Sequence, residues 1–205
     1  MTTDEAVAPG TSDASPQAGT RVGAIDPRAF RTMLGHFCTG VTVVTAVGDG
    51  GPVGFACQSF SALSLDPPLV LFCPGKRSRA WPEIERAGRF VVNVLAEDQR
   101  DVSTRFGAPG ADKFAGIDWR PASSGAPILP GALGWIDCAV QAVHDGGDHH
   151  VVVGRVMELS APQADRPLLF FRGRYTGTLP DRGEAVPAGM SLDAFLTWPV
   201  GDDWL

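Results

Sequence analysis

Three short stretches carry residue types that do chemistry on small anionic or aromatic ligands. Pro74-Gly75-Lys76-Arg77-Ser78-Arg79 follows an apolar run and opens a helical pattern. Three cations, a hydroxyl and free backbone N–H groups thereby gather where a helix dipole is positive, which suits a phosphate. Gln58-Ser59-Phe60-Ser61-Ala62-Leu63-Ser64 leaves a strand pattern as a loop, with three hydroxyls and an amide interleaved among apolar side chains. Such a loop can cradle an anion and an aromatic ring together. His149-His150 is the third stretch. Adjacent strand residues point to opposite faces, and no carboxylate or thiolate pattern completes a ligand set, so no metal is expected. One histidine is then free to face a ligand while the other packs or is solvated. Taken singly, a Ser-rich loop is also an ordinary turn and a basic run an ordinary solvated face. The first two gain weight together because both flank one apolar run, Leu69-Val70-Leu71-Phe72-Cys73.

The common cofactor motifs are missing. There is no G-x-G-x-x-G and no Gly-x-Ser-x-Gly, and Gly75-Lys76 lacks the earlier glycine of a P-loop. Cys38, Cys57, Cys73 and Cys138 sit in apolar stretches without a Cys-x-x-Cys pair, so four buried free thiols are expected. The formal charge of −6 argues against a nucleic-acid backbone as the main partner. No run approaches the roughly 18 apolar residues that span a bilayer, and the start, Met1-Thr2-Thr3-Asp4-Glu5, is acidic. A soluble, cytoplasmic protein without a membrane partner is the expectation.

The elements that must position these groups are short. The 205 residues include 25 glycines and 17 prolines, which implies many turns. Residues 1–23 have the composition of a disordered tail. Asp26-Pro27 starts a helix in which Phe30, Met33, Leu34 and Phe37 recur at helical spacing up to Thr39-Gly40. Val41–Ala46 and Val53–Cys57, joined by Asp49-Gly50-Gly51-Pro52, read as a hairpin. The run Leu69–Cys73, bounded by prolines, reads as a strand buried on both faces. Helices over Arg79–Arg86 and Glu97–Phe106 flank a strand at Phe90–Leu95. A second hairpin joins Ile136–Val143 to His149–Val156 through Asp145-Gly146-Gly147-Asp148, and Leu168–Tyr175 supplies one more strand. Six or seven mostly antiparallel strands with helices confined to connections imply a mainly β class, a compact antiparallel barrel with accessory helices. Residues 24–178 form this domain. Residues 179–205 form a tail carrying Met190, Leu192, Phe195, Leu196, Trp198, Trp204 and Leu205, apolar enough to pack on its own or a partner subunit.

The stretch Phe37-Cys38-Thr39-Gly40-Val41-Thr42-Val43-Val44-Thr45, with Gly54-Phe55-Ala56-Cys57-Gln58-Ser59-Phe60-Ser61-Ala62-Leu63-Ser64-Leu65-Asp66-Pro67-Pro68-Leu69-Val70-Leu71 and Gly146-Gly147-Asp148-His149, resembles the short-chain flavin reductases. These are the reductase components of two-component flavin-dependent monooxygenases. The likeness runs from about Ile25 to Thr178. Asp112-Lys113-Phe114-Ala115-Gly116-Ile117-Asp118-Trp119-Arg120-Pro121, Leu192-Asp193-Ala194-Phe195-Leu196 and Trp204-Leu205 are most similar to one branch. Its oxygenase partner hydroxylates a phenolic secosteroid in cholesterol breakdown.

The resemblance implies an FMN-binding split β-barrel with Greek-key-like connections, a homodimer, and an oxygenase component that receives reduced flavin. It places flavin contacts on Val53, Gly54, Phe55, Ala56, Gln58 and Ser59, with Cys73, Pro74 and Gly75 at the end of the apolar strand. The phosphate side falls on Ser78, Arg79 and Ala80, closed by Arg105 and Phe106. The nicotinamide falls at Asp148-His149 and at Phe170, Phe171, Arg172, Gly173 and Tyr175. His149 is the residue expected to orient the nicotinamide or touch the flavin edge during hydride transfer. The cofactors implied are an exchangeable FAD or FMN and NADH or NADPH, with neither choice fixed by the residues. Two rival readings are a split-barrel module that binds flavin or haem without turnover, and a self-contained flavin oxidoreductase that holds its flavin tightly.

Overall fold

The computed structural model describes residues 25–110, 112–163 and 165–178. The expected tails at 1–23 and 179–205 lie outside the described residues. Helix α1 spans Pro27–Leu34; the Asp26 carboxylate accepts from the Ala29 N–H at 3.0 Å, and Pro27 sits where its missing donor costs nothing. The helix stops at Gly35, earlier than the apolar spacing implies, because Thr39–Gly40 is already strand β1. Its apolar side chains are uncovered, Met33 being 71% exposed, and so is Phe37 just past its end, at 76%.

Seven antiparallel strands form the main sheet, in the order β3-β2-β6-β9-β10-β5-β4. They are β2 Thr42–Gly48, β3 Gly51–Cys57, β4 Ser61–Leu65, β5 Pro68–Phe72, β6 Arg89–Val94, β9 Gly134–Gly146 and β10 His149–Leu159. Both hairpins expected from the sequence are present, with Thr45 opposite Gly54 in the first and His149 opposite Gly146 in the second. Two short strands, β7 Arg120–Pro121 and β8 Pro127–Ile128, pair within the long connection before β9. A separate three-stranded sheet combines β1 with β11 Leu169–Phe171 and β12 Arg174–Thr176.

Helix α2 spans Trp81–Ala87 with Pro82 in its first turn, and α3 spans Arg100–Gly107. The latter starts three residues later than its sequence pattern because Gln99 is used locally. Its side chain accepts from the Ala96 N–H at 3.0 Å and donates to the Pro130 carbonyl at 2.8 Å.

Four expectations need correction. The doubly buried strand is β2, where Thr42 to Ala46 are all buried. β5 lies next to the edge strand β4, and only Val70 and Phe72 are buried on it. The Ser-rich stretch after Gln58 is not a loop, because Ser61–Leu65 pairs with β5 and so satisfies its backbone in a ladder. Leu168–Tyr175 is a hairpin rather than one strand: Arg172 and Gly173 both take positive φ, 50° and 75°, as a two-residue hairpin turn requires. Of the cysteines, Cys57 and Cys138 are buried, Cys73 is partly exposed and Cys38 is exposed. Burial, with the Asp137 charge beside it, pushes the Cys138 thiol up to about 12.

Strand alternation on β2 feeds two cores. Val44 and Ala46 join Phe72, Trp81, Ile84, Phe90, Val92 and Val152 beneath α2, whereas Val41 and Val43 join Leu95, Phe106, Phe114, Leu129 and Leu168 beneath α3. Between β2, β6 and β8 the fully buried Asn93 is saturated. Its amide donates to the Val43 and Pro127 carbonyls and to Thr45 Oγ1, and its carbonyl accepts from the Leu129 N–H at 2.8 Å. Asn93→Leu leaves the Leu129 N–H buried and unpaired, and we expect a loss of about 2–4 kcal/mol in urea denaturation. An unchanged midpoint and slope would show that the network contributes nothing net.

Candidate functional site

A cleft of about 520 Å³ opens where β3, the turn before α2 and the segment after α3 meet. Pro52, Val53, Gly54, Phe55 and Ala56 of β3 form one wall, and Arg77, Ser78, Arg79 and Ala80 another. Residues 106–110, Lys113 and Phe114 close the end. Eight residues of the sequence-based site therefore meet in one place: Val53, Gly54, Phe55, Ala56, Ser78, Arg79, Ala80 and Phe106.

Local chemistry explains why they meet. The Ser78 N–H donates to the Gly75 carbonyl at 2.8 Å, and Ser78 Oγ accepts from the Trp81 N–H at 3.2 Å. Trp81 is buried edge-on against Phe72, 5.9 Å between ring centroids, so the turn ahead of it is anchored to the core. On the other wall, Gly54 lets α3 approach β3. A methyl there would lie 2.8 Å from the Val44 carbonyl and 3.0 Å from the Phe106 ring.

The cations divide into two kinds. Lys76, one of the three cations in the basic run, turns away to Asp145 at 2.6 Å. Arg86 bonds Asp49 and Glu83, and Arg166 bonds Glu97. Arg77, Arg79 and Lys113 line the cleft, and among the described residues no carboxylate lies within ion-pair distance of them. Burial, and then the Arg79 charge, holds the Lys113 ammonium below the ordinary lysine range.

A second group stands at the far end of β5. Ser59 Oγ accepts from the Cys73 N–H at 2.9 Å and lies 3.3 Å from Cys57 Sγ, so this hydroxyl splices two strand ends. The Pro74 carbonyl accepts from the His150 N–H, and Gly75 bridges His149, continuing the β5–β10 pairing. His149 Nδ1 lies 2.6 Å from Asp148 Oδ1 on a half-exposed side chain, and Nε2 lies near Gly75, where a methyl would be 3.6 Å from it. The His149 hydrogen bond, with a smaller contribution from Arg77, holds the Asp148 carboxyl below the usual range. His150 takes the other face and packs on Trp81 at 5.9 Å. Gln58, Ser59, Cys73, Pro74, Gly75 and His149 do not line the cleft itself.

The remaining candidates lie elsewhere in the chain. Phe170 packs edge-on against Tyr175, whose hydroxyl donates to Ser103 Oγ at 3.0 Å on α3. Phe171 meets the His36 ring edge-on, and the Arg172 N–H donates to the Gly35 carbonyl. None of Phe170, Phe171, Arg172, Gly173 and Tyr175 lines the cleft. Arg105 does not line it either; its guanidinium donates to the Ala115 carbonyl at 2.8 Å and braces the segment after α3. Sequence reasoning named Arg77 within the basic run but did not place Pro52, residues 107–110, Lys113 or Phe114 at the site. Lys113 has no local pattern to reveal it, being a single cation brought in by tertiary packing.

Comparison with known proteins gives consistent likenesses. The flavin reductase like domain model matches residues 34–179. The reductase subunit HsaB of a flavin-dependent monooxygenase from Rhodococcus jostii is 60% identical over 182 residues, 89% of this chain and 93% of the relative. Its Mycobacterium tuberculosis counterpart is 60% identical over 183 residues, 88% of this chain and 98% of the relative. Among solved structures, a nitrilotriacetate monooxygenase component B homologue from Mycobacterium thermoresistibile aligns with a TM-score of 0.75 and 59% identity, over 82% of this chain and 93% of that one. An NADH:FAD oxidoreductase of Streptomyces globisporus, in complex with NAD and FAD fragments, aligns at 0.73 with 36% identity, over 78% and 98%.

The close approach at Gly54 makes a direct test of how the cleft is built. Gly54→Ala presses a methyl onto the Val44 backbone and the Phe106 ring, and a stability loss of about 1–3 kcal/mol is expected from overpacking. Thermal and urea denaturation check it; wild-type stability would mean that α3 shifts without cost.

Proposed function

From the premise that the chain belongs to the flavin reductase family, we propose that it moves a hydride from NADH or NADPH to a bound FMN or FAD, then releases the reduced flavin to an oxygenase component. The observation that carries this reading is the cleft: an apolar strand wall beside a turn whose cleft-lining cations, Arg77 and Arg79, have no carboxylate partner among the described residues. The residues fit a flavin. Val53 to Ala56 offer a strand backbone and an apolar surface against which a planar ring lies, and Ser78, Arg79 and Lys113 supply donors for a phosphate. The flavin, when bound, supplies a ring that accepts a hydride and later passes electrons on.

The protein's part is binding and orientation. Arg79 and Ser78 hold the phosphate end. Asp148 holds the His149 ring through Nδ1 and leaves Nε2 outside that bond, and His149 orients the nicotinamide. No acid or base is demanded by hydride transfer itself, in keeping with the sparse catalytic motifs. Phe170, Phe171, Arg172, Gly173 and Tyr175 lie beyond the cleft of one chain, and they reach a nicotinamide only if the site is completed between subunits. A homodimer supplies that arrangement. Its support is the uncovered apolar surface at Phe30, Met33 and Leu34 of α1, at Phe37 just beyond it, and on Leu65, Met157 and Leu159.

No helix among the described residues is long and apolar enough to cross a membrane, and a cytoplasmic location fits the reaction. The phenolic-secosteroid oxygenase is the recipient favoured by the sequence likeness, together with the 60% identity to HsaB.

The decisive assay is anaerobic NADH oxidation followed at 340 nm with and without added FAD or FMN. Oxidation that depends on added flavin is expected. Flavin binding without NADH oxidation would replace the reductase with a carrier module. His149→Ala should lower turnover about tenfold or more while leaving the flavin Kd within about twofold; unchanged steady-state rates would remove His149 from the site. Sedimentation should give twice the chain mass at micromolar concentration, and a monomer there would discard the shared-site arrangement.

A further inference from the structure

We propose that Cys57 and Cys73 form a reversible disulfide when hydrogen peroxide reaches them, and that the bridge slows turnover by pulling together the two strand ends beside the cleft. The bridge depends on the chain's own thiols alone; its effect on turnover rests on the reading of the cleft as a flavin site.

The two strand ends converge. β3 ends at Cys57, and β5 ends at Phe72, one residue before Cys73. The strands lie far apart in the sheet order, yet the Phe55 and Phe72 rings meet at 6.2 Å between centroids. Beyond them, Ser59 Oγ lies 3.3 Å from Cys57 Sγ, accepts from the Cys73 N–H at 2.9 Å and donates to the Cys73 carbonyl at 3.3 Å. One hydroxyl therefore touches both cysteines. The Cys73 N–H and sulfur also act directly on the Cys57 thiol. A disulfide spans about 4.4–6.8 Å between Cα atoms, a window that side-chain rotation and a small shift of these ends bring within reach. That shift is felt on both sides of the cleft: Ala56, next to Cys57, lines one wall, and Arg77, four residues past Cys73, begins the other. It also displaces Ser59 from its place between the ends.

The two thiols divide the chemistry. Cys73 is partly exposed and meets the oxidant first. Cys57 is 5% exposed, and burial pushes its thiol up, which keeps it out of that first step. The Cys73 thiolate sulfur attacks one peroxide oxygen: an S–O bond forms, the O–O bond breaks, and the departing hydroxide takes a proton to become water. The Cys57 sulfur then attacks the Cys73 sulfur. An S–S bond forms, the S–O bond breaks, and the hydroxide leaves with the Cys57 proton as a second water. The two sulfurs lose two electrons in all, and the two peroxide oxygens gain them. Peroxide arises where reduced flavin meets dioxygen before an oxygenase does, so the bridge answers turnover that outruns its recipient. Among the described residues, neither the Cys38 nor the Cys138 sulfur shares a hydrogen-bond partner with another cysteine.

The experiment uses the full chain carrying Cys38→Ser, which removes the exposed thiol. It is treated with hydrogen peroxide, cleared of it by gel filtration, and read by thiol titration in denaturant and by intact mass. Thiols should fall from three to one. The mass should drop by about 2 Da, a peptide linking Cys57 to Cys73 should appear on proteolysis, and dithiothreitol should reverse all of this. Flavin-dependent NADH oxidation should fall about fivefold or more with the bridge and return with dithiothreitol. Cys57→Ala in the same background should instead gain oxygen at Cys73, and its rate, compared with its own untreated rate, should not recover under dithiothreitol. Oxygen added at Cys73 while the Cys57 thiol stays free would overturn the disulfide. A bridge that leaves the rate within about twofold would overturn the slowing. A bridge in a chain that oxidises no NADH even before treatment would sink the reductase reading, and the slowing with it, while the disulfide stands.

Discussion

How near α3 can come to β3 decides the rest of the cleft. Residue 54 faces the Val44 carbonyl and the Phe106 ring at distances that admit hydrogen but no methyl. Because Phe106 seats there, its carbonyl is presented to Lys113 and its ring to Phe114, so the end of the cleft is built from the same contact as its floor. The other wall has an independent anchor in Trp81, buried against Phe72, which fixes the turn carrying Arg77 to Ala80. Two cores packed against β2 and its neighbours thus hold two walls in register.

The charge pattern serves the same cleft. A chain of net charge −6 keeps a locally positive cleft by pairing its outer cations, Lys76, Arg86 and Arg166, with carboxylates, while the inner ones have no such partner among the described residues. The acidic surface favours solubility, whereas the cleft alone attracts an anion.

Much of the fold was legible because its signals are local. The β-branched run at Val41–Thr45, the turn at Asp49-Gly50 and the long hairpin around Gly146-Gly147 encode their own pairing, and the Asp26-Pro27 cap sets the start of α1. The misreadings occurred where neighbours decide. Ser61–Leu65 looks like a loop until β5 offers it a ladder, and Leu69–Cys73 looks doubly buried because apolar content does not say how near the sheet edge a strand will lie. The Arg172-Gly173 turn escaped notice because arginine rarely takes positive φ. Of the residues singled out from sequence and family likeness, those of the strand wall and of the turn before α2 lie together along one cleft. Lys113 was not among them, since nothing within ten residues of it points to Arg79.

Helix α1 has a consequence of a different kind. It is eight residues long, well capped at its start, and buries none of its side chains within the chain. Isolated helices shorter than about 12–15 residues are marginal in water, so capping alone cannot keep it wound. Its amide protons should exchange with solvent far faster than those of β2 whenever its apolar face is bare, and slow down when that face is covered. If a second copy is what covers it, helicity over these roughly two turns of chain is coupled to protein concentration, and the start of the described chain becomes a gauge of association.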